Sequence, residues 1–225
     1  MQVRADFSQR VVLRPQDMDW VDSPQPGVQR VLLDRIGGEV ARATSLVRYA
    51  PGAFFPVHHH GGGEEILVLD GVFQEGDAAW AAGLYLRNPP GSSHQPRSDA
   101  GTRLFVKLGQ MPQDDGVTVR VDTRAGVGWR PGEGGLVRPL HRTAYEQVDL
   151  LRLPAGRAVL ADPTGGSEWL VLAGRLRLAG ELLPCESWLR LPPGDAPALQ
   201  AGPEGVALYR KTGHLARPLG LEPAC

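Results

Sequence analysis

The chain repeats itself, and the repeat limits the folds that it can adopt. The segment GGGEEILVLDG, which ends at Gly71, returns as TGGSEWLVLAG, which ends at Gly174. YLRNPPG, which ends at Gly91, returns as WLRLPPG, which ends at Gly194. Both pairs lie 103 positions apart, so two separate motifs keep one offset without a gap. A repeat of this length predicts two similar domains in tandem.

Local patterns favour β-strands in both copies. The apolar runs are short, rich in Leu and β-branched residues, and most of them end at Gly, Pro or Asp. The 29 glycines and 20 prolines suit many turns between short strands. No long segment has a clean helical period. We therefore expect an all-β protein with few or no helices, whose first domain covers residues 1–115 and whose second covers residues 116–225.

Four residues of the first copy have the types and spacing of metal ligands. His58 and His60 are two positions apart, so both imidazoles project from one face of a strand. Glu64 follows a turn at residues 61–63 that we expect to bring the next strand alongside, with the carboxylate opposite the histidine pair. His94 follows a Pro-Pro-Gly corner, from which a separate strand can supply a fourth ligand. Three imidazoles and one carboxylate suit zinc, iron, manganese, nickel or copper.

The second copy lacks all four candidates. At the same offset, Ala161, Pro163, Ser167 and Pro197 take their places, while the scaffold Gly, Pro and Leu residues remain. Unrelated residues would have no reason to disappear together. The comparison indicates that the four form one unit, and it predicts a second domain without metal ligands.

The remaining candidates are weaker, and no catalytic residue is assigned. His59 and Glu65 alternate away from the ligand face, so we expect outer-face or structural roles for them. His141 and His214 have no partner at ligand spacing and are expected to be ordinary surface or loop histidines. A further set of residues of the first copy could face a substrate, although core or solvated positions are the commoner role for such residues: Arg48, Tyr49, Phe55, Tyr85, Arg87 and Lys107.

Composition excludes several classes of protein. The net charge of -1 and the absence of a basic run argue against nucleic-acid binding. No stretch approaches the roughly 20 apolar residues that span a bilayer, and the N-terminus lacks the apolar core of a signal peptide. The two cysteines, Cys185 and Cys225, form no C-x-x-C pair. We therefore expect a cytoplasmic protein that keeps its thiols reduced.

Two motifs of the first copy resemble the cupin superfamily. The pattern G-x5-H-x-H-x3-4-E-x6-G fits Gly52 through Gly71, and G-x5-P-x-G-x2-H fits Gly83 through His94. The segments RATSLVRYAPG, HGGGEEILVLDGVF, GLYLRNPPGSSHQP and LFVKLGQ are similar to the cupin domain of the anti-sigma factor ChrR and to its stand-alone relatives. The resemblance is strong over residues 20–111 and weaker over the rest, which is similar to a degenerate second cupin.

The resemblance implies a tandem pair of jelly-roll barrels, or bicupin, with one divalent transition metal inside the first barrel. It implies His58, His60, Glu64 and His94 as the ligands, and zinc or iron as the metal, with manganese and nickel as alternatives. Four protein ligands close a tetrahedral site, whereas an octahedral metal would keep two positions for water, substrate or dioxygen.

Two functions follow from the resemblance. One is a metal-dependent dioxygenase or isomerase that acts on a small carbonyl or dicarbonyl compound. The other is a regulatory module that senses a ligand, a metal or oxidative stress without catalysis. In ChrR the cupin domain is linked to a zinc-binding helical domain that holds a sigma factor, and this chain contains no His-x3-Cys-x2-Cys signature of that domain. We therefore expect a small-molecule ligand, with a sigma factor as a less favoured partner, while a monomer and a homo-oligomer both remain open.

Overall fold

A computed structural model of the chain describes residues 1–38 and 40–216. These residues form 22 strands and one short 3-10 helix, Pro15–Asp17. The strands are β1 (Gln2–Val3), β2 (Val11–Leu13), β3 (Val21–Asp22), β4 (Val28–Gly37), β5 (Ala41–Tyr49), β6 (Ala53–Phe54), β7 (His58–His60), β8 (Glu64–Glu75), β9 (Ala78–Ala81), β10 (Leu84–Asn88), β11 (Ser92–His94), β12 (Pro96–Ser98), β13 (Thr102–Leu108), β14 (Val119–Asp122), β15 (Arg130–Gly132), β16 (Gly135–Arg142), β17 (Gln147–Leu153), β18 (Ala158–Leu160), β19 (Ser167–Leu178), β20 (Glu181–Leu183), β21 (Trp188–Leu191) and β22 (Ala198–Thr212). The prediction of an all-β protein is confirmed. Within the described ranges, no helix has the length and apolarity needed to cross a membrane.

The chain divides into two compact units whose bounds differ from the expected ones. The first unit contains residues 1–5 and 19–124, and the second contains residues 6–18 and 125–216. The expected boundary between residues 115 and 116 would separate β14 from β10, its antiparallel partner in the first unit. Residues 6–18 enter the second unit because β2 pairs with β21. Neither pairing is visible in the sequence, because both join segments far apart in the chain.

The first unit is built on one large antiparallel sheet, ordered β1-β4-β5-β13-β8-β10-β14, with β3, β6, β9 and β12 attached at its flanks. β7 and β11 form a separate two-stranded ladder. Alternate residues of the long strands point inward and form an apolar core, as the period of a strand requires. Ile66, Leu86 and Leu104 are among its members, and each is almost fully buried.

The second unit repeats this plan. Its sheet is ordered β15-β16-β17-β22-β19-β21-β2, and β19 corresponds to β8 at the offset of 103 positions. Its core contains Trp169 at the position that corresponds to Ile66 in the first unit. The repeat in the sequence therefore reflects a repeat in strand order.

The glycine that ends the first repeated motif has a direct structural reason. Gly71 lies within β8 at φ +71°, and a Cβ at this position would lie 2.1 Å from the carbonyl oxygen of Gly101. Gly174 is equivalent, with φ +72° and a distance of 2.3 Å to the carbonyl oxygen of Gly205. An L side chain is disfavoured by both the dihedral angle and the close backbone approach. Only glycine satisfies both demands.

Charged residues are buried on the opposite face of the same strands. Glu65 on β8 lies in register with Arg87 on β10 and with Lys107 on β13, and all three are almost fully buried. Arg87 also donates two hydrogen bonds to the carboxylate of Asp115, at 3.0 and 2.7 Å. The second unit repeats the arrangement with Glu168, Arg190 and Lys211. Arg87 and Lys107 are therefore buried parts of the scaffold, which is the commoner of the two roles expected for them.

His214 belongs to the same buried network in the second unit. It is 7% exposed, and its Nε2 lies 2.9 Å from a carboxylate oxygen of Glu168. The other oxygen of Glu168 accepts a hydrogen bond from the indole of Trp188 at 2.8 Å. Of the expected surface or loop position, only the loop is found, since His214 lies in a turn after β22 but is buried and paired. Cys185 is exposed and its Sγ lies 3.2 Å from the carbonyl oxygen of Leu172, whereas Cys225 lies outside the described residues.

The Gly71→Ala substitution should lower the free energy of unfolding by about 2–5 kcal/mol, because left-handed strain adds to displacement of the Gly101 backbone. Gly116→Ala is the matched control, since a Cβ there has no neighbour within 4 Å and its φ is not left-handed. That variant should stay within about 0.5 kcal/mol of the parent. Urea unfolding followed by tryptophan fluorescence measures both. Equal stability of the two variants would contradict the assigned role of Gly71.

Candidate metal centre

Pairing of β7 with β11 brings three histidines together. The register places His58 opposite His94, and His60 opposite Ser92. One ring nitrogen from each of His58, His60 and His94 lies within 4.8 Å of those of the other two. His59 points away and is exposed, as the alternation of a strand predicts. The contact between His60 and His94, which lie 34 positions apart in the chain, therefore depends on this short ladder.

Glu64 reaches the histidines by a route that differs from the expected one. The strand that follows residues 61–63 does not pair with β7 in the described part of the chain; β8 instead begins between β10 and β13, with Glu64 opposite Asn88 and Leu108. The carboxylate oxygen Oε2 of Glu64 still lies 3.5 Å from Nε2 of both His60 and His94. The glycines thus move the chain from one sheet to another, and do not form a hairpin.

Two of the histidines are oriented by acceptors on their outer side. Nδ1 of His58 lies 2.9 Å from the carbonyl oxygen of Pro56, and Nδ1 of His94 lies 2.6 Å from a carboxylate oxygen of Glu75. A carbonyl or carboxylate oxygen can only accept, so each Nδ1 carries the proton and donates it. In the neutral ring this leaves the Nε2 lone pair for a metal, the usual arrangement of a ligand histidine.

The donor atoms fit a single transition-metal ion. Nε2 of His60 and Nε2 of His94 are 2.9 Å apart. Two nitrogens that each bind one ion at about 2.0–2.1 Å stand roughly 3 Å apart when their bonds are perpendicular. Three imidazole nitrogens with a carboxylate oxygen nearby form a donor set that zinc, iron, nickel and manganese all accept. His58, His60 and His94 together with Glu64 can therefore hold a metal here.

The pKa values of His60 and His94 are shifted in opposite directions. Burial lowers the pKa of His60, and the nearby Glu64 only partly opposes this. Burial also disfavours the charged form of His94, but the hydrogen bond from its ring to Glu75 and the charges of Glu64 and Glu75 outweigh burial and raise its pKa. The pKa of Glu75 is lowered, because the interactions with His94 and Arg120 outweigh its own desolvation. Glu75 is thus held as a carboxylate.

Aromatic rings form one wall beside the histidines. The ring of Phe55 lies 5.9 Å from that of His58, and the ring of Phe73 lies 6.1 Å from that of His94, centroid to centroid. Tyr49 packs edge-on against both phenylalanines. Of the other side chains considered as substrate contacts, Tyr85 is fully buried and Arg48 lies over the ring of Trp20. Phe55 and Tyr49 are the two that lie near the candidate ligands.

A cavity of about 850 Å³ opens beside the site. His94 and Glu75 contribute to its wall, together with Asn88 and Arg120. Phe54, a residue that is 49% exposed, also lines the cavity. A small molecule in this cavity would meet the ring of His94.

Sequence reasoning missed Glu75, Asn88 and Arg120. Asn88 donates to Oε2 of Glu64 at 3.1 Å, and Arg120 donates to both Asn88 and Glu75. None of the three has a fixed spacing from the ligands that the sequence could reveal. Glu75 lies after Gly71 on β8, and only the three-dimensional course of that strand shows that Glu75 pairs with His94.

The second unit fills the equivalent space with apolar groups. Ala161 and Ser167, which replace His58 and Glu64, are fully buried. The indole of Trp169 donates to the hydroxyl of Ser167 at 2.8 Å and is itself 0% exposed. The hydroxyl of Ser167, which stands where the first unit has the Glu64 carboxylate, therefore has a hydrogen-bond partner without a metal. Among residues 1–38 and 40–216, three metal-ligating side chains converge only at the histidine cluster of the first unit.

Comparison with known proteins gives one family match and a set of structural relatives. The family model of the ChrR cupin-like domain matches residues 8–112. No curated protein matches the chain by sequence.

Three solved structures illustrate the likeness in fold. A candidate dioxygenase from Nostoc punctiforme has a TM-score of 0.74 at 14% identity, over 96% of this chain and 88% of that one. The pirin YhhW of Escherichia coli, in complex with nickel(II), has a TM-score of 0.64 at 12% identity, over 91% of this chain and 99% of that one. Oxalate decarboxylase of Bacillus subtilis, with Mn(II) centres, has a TM-score of 0.61 at 11% identity, over 90% of this chain and 76% of that one.

At these identities the structural likeness establishes the fold alone. The fold is that of cupin proteins, and the match over residues 8–112 confirms the resemblance drawn from the motifs. Residues 8–112 are thus similar in sequence to the ChrR cupin-like domain, and the chain as a whole has the cupin fold.

Proposed function

We propose that His58, His60, Glu64 and His94 hold one divalent transition-metal ion, and that the chain uses this ion on a small molecule in the adjacent cavity. The proposal rests on His94, which belongs both to the ligand cluster and to the wall of the cavity. Its Nε2 belongs to the ligand cluster, and its side chain also forms part of the cavity wall. When bound, such an ion supplies Lewis acidity or dioxygen chemistry to a molecule beside it.

The reaction we favour is that of a metal-dependent oxygenase, or of a related enzyme acting on small carbonyl or dicarbonyl compounds. The cavity volume of about 850 Å³ lies within the range of small-molecule sites. The candidate dioxygenase and the oxalate decarboxylase among the structural relatives support this class. Zinc or iron is our first choice of metal, and the nickel and manganese in two relatives keep these metals as alternatives.

The residues of the chain would do three things for such a reaction. Glu75 and the carbonyl of Pro56 keep the proton on Nδ1 of His94 and His58, so that Nε2 faces inward. The rings of Phe55 and Phe73 shield the ligands from water on one side. The open side toward the cavity then admits a substrate next to His94.

Metal content tests the ligand assignment. The purified protein should contain one transition-metal ion per chain, and His60→Ala should lose most of it, because a buried nitrogen donor is removed. His59→Ala is the matched control, since the exposed neighbouring ring points away from the site. Elemental analysis by mass spectrometry measures both. Equal occupancy in the two variants would refute the site.

Turnover tests the enzymatic part of the proposal. After anaerobic loading with Fe(II), the protein should consume dioxygen with at least one member of a panel of dicarbonyl and hydroxy-carbonyl compounds. His60→Ala should reduce that rate at least tenfold, because the metal is lost, and His59→Ala should leave it unchanged. A dioxygen electrode with product analysis by mass spectrometry measures the rate.

Full iron occupancy with no dioxygen uptake over the whole panel would overturn the oxygenase. It would favour the regulatory alternative, in which the same centre senses a ligand without catalysis.

A further inference from the structure

The strand β14 lies outside the segment that matches the family, yet it borders the candidate metal centre. It pairs with β10 so that Arg120 stands opposite Leu86. This register places the guanidinium of Arg120 at the wall of the cavity, and its side chain is 29% exposed.

One nitrogen of Arg120 contacts two polar neighbours of the ligands. Its Nη2 donates to Oδ1 of Asn88 at 2.6 Å and to Oε1 of Glu75 at 3.2 Å. The other oxygen of Glu75 binds Nδ1 of His94 at 2.6 Å, and Nδ2 of Asn88 donates to Oε2 of Glu64 at 3.1 Å. A single guanidinium is thus joined to His94 through Glu75 and to Glu64 through Asn88.

The remaining bonds of Arg120 argue against direct substrate binding. Its Nη1 donates to the backbone carbonyls of Arg87 and Val119, at 3.0 and 2.8 Å. Each Nη nitrogen carries two hydrogens, so all four are engaged within the protein. A substrate carboxylate would need two of them for a bidentate contact. Arg120 is therefore occupied as part of the scaffold of the site.

Two further contacts hold this arrangement in place. The guanidinium carbon of Arg120 lies 5.7 Å from the centre of the Trp80 ring, within cation–π range. The indole of Trp80 donates to the same oxygen of Glu75 at 3.2 Å. Asn88 is buried, and the donor and acceptor ends of its amide are both satisfied. The position of each group therefore depends on the others.

We propose that Arg120 is a positioning residue that orients two ligands of the metal centre at once, His94 through Glu75 and Glu64 through Asn88. This inference rests on the proposed function, since it assumes that the four ligands bind a metal. Without Arg120, Oδ1 of Asn88 and Oε1 of Glu75 lose a shared donor, so the amide and the carboxylate can both rotate. His94 and Glu64 then meet the metal in a wider range of orientations.

The test is metal binding by the full-length protein, with Co(II) and Zn(II) as probes. Competition with a chromophoric chelator gives the dissociation constant, and the visible absorption of Co(II) reports on ligand geometry. Arg120→Met should weaken Zn(II) binding by about 10–100-fold, the usual effect of removing a partner of a metal ligand, and should shift the Co(II) bands. Arg124→Met is the matched control, because Arg124 pairs only with Asp122 in the described contacts and should change neither readout.

Two further variants separate positioning from folding and from charge. Arg120→Lys keeps the charge but lacks the second nitrogen, Nη1, that anchors the side chain to the carbonyls of Arg87 and Val119, so its affinity should fall between those of the parent and Arg120→Met. Glu75→Gln should weaken binding by a similar factor, and the double variant with Arg120→Met should lose less than the product of the single effects, since both act through His94.

The outcomes distinguish the two levels of the proposal. Parent protein that binds neither metal would overturn the proposed function. Parent protein that binds Zn(II), with Arg120→Met equal to it in affinity and in Co(II) spectrum, would overturn the inference alone. If Arg120→Met fails to fold, Arg120→Lys and Glu75→Gln decide: parent-like affinity and spectra in both would overturn the positioning role.

Discussion

The course of β8 is the constraint on which the candidate metal centre depends. Glu64 stands at its beginning and Glu75 at its end, and an extended strand of this length would hold them about 36 Å apart. Both carboxylates nevertheless reach His94, one near Nε2 and the other at Nδ1. The strand must therefore bend between them. Gly71, with its left-handed φ and its close contact with the Gly101 carbonyl, is where the backbone can do so.

The second unit shows that this bend and the metal ligands are separable. Gly174 keeps the conformation of Gly71, and β19 keeps the length of β8. The residues at the equivalent positions all differ, and the indole of Trp169 donates to the hydroxyl of Ser167 within the buried core. The same strand plan thus accommodates either a largely apolar filling or a cluster of polar side chains. A cluster of polar ligands requires partners for every buried donor and acceptor, which Asn88, Glu75 and Arg120 provide in the first unit.

Several predictions from the sequence depended on contacts close in the chain, and these were confirmed. The all-β class followed from short apolar runs and frequent turn residues. The shared face of His58 and His60 followed from the period of a strand. The predicted boundary between residues 115 and 116 differed from the observed division because β14 and β2 pair with distant strands. The buried role of His214 was missed for the same reason, since its partner Glu168 lies on another strand.

By itself the sequence determined the strand content, the repeat and the identity of the four ligand candidates, because spacing and internal comparison carry that information. Tertiary structure alone decided how these residues meet. The ladder between β7 and β11 places His58 beside His94, and the course of β8 brings Glu75 to the same ring. It also decided that Arg120, from a segment expected in the second domain, supports the centre in the first. Hydrogen bonds between distant strands depend on register and bending, and neither leaves a local pattern in the chain.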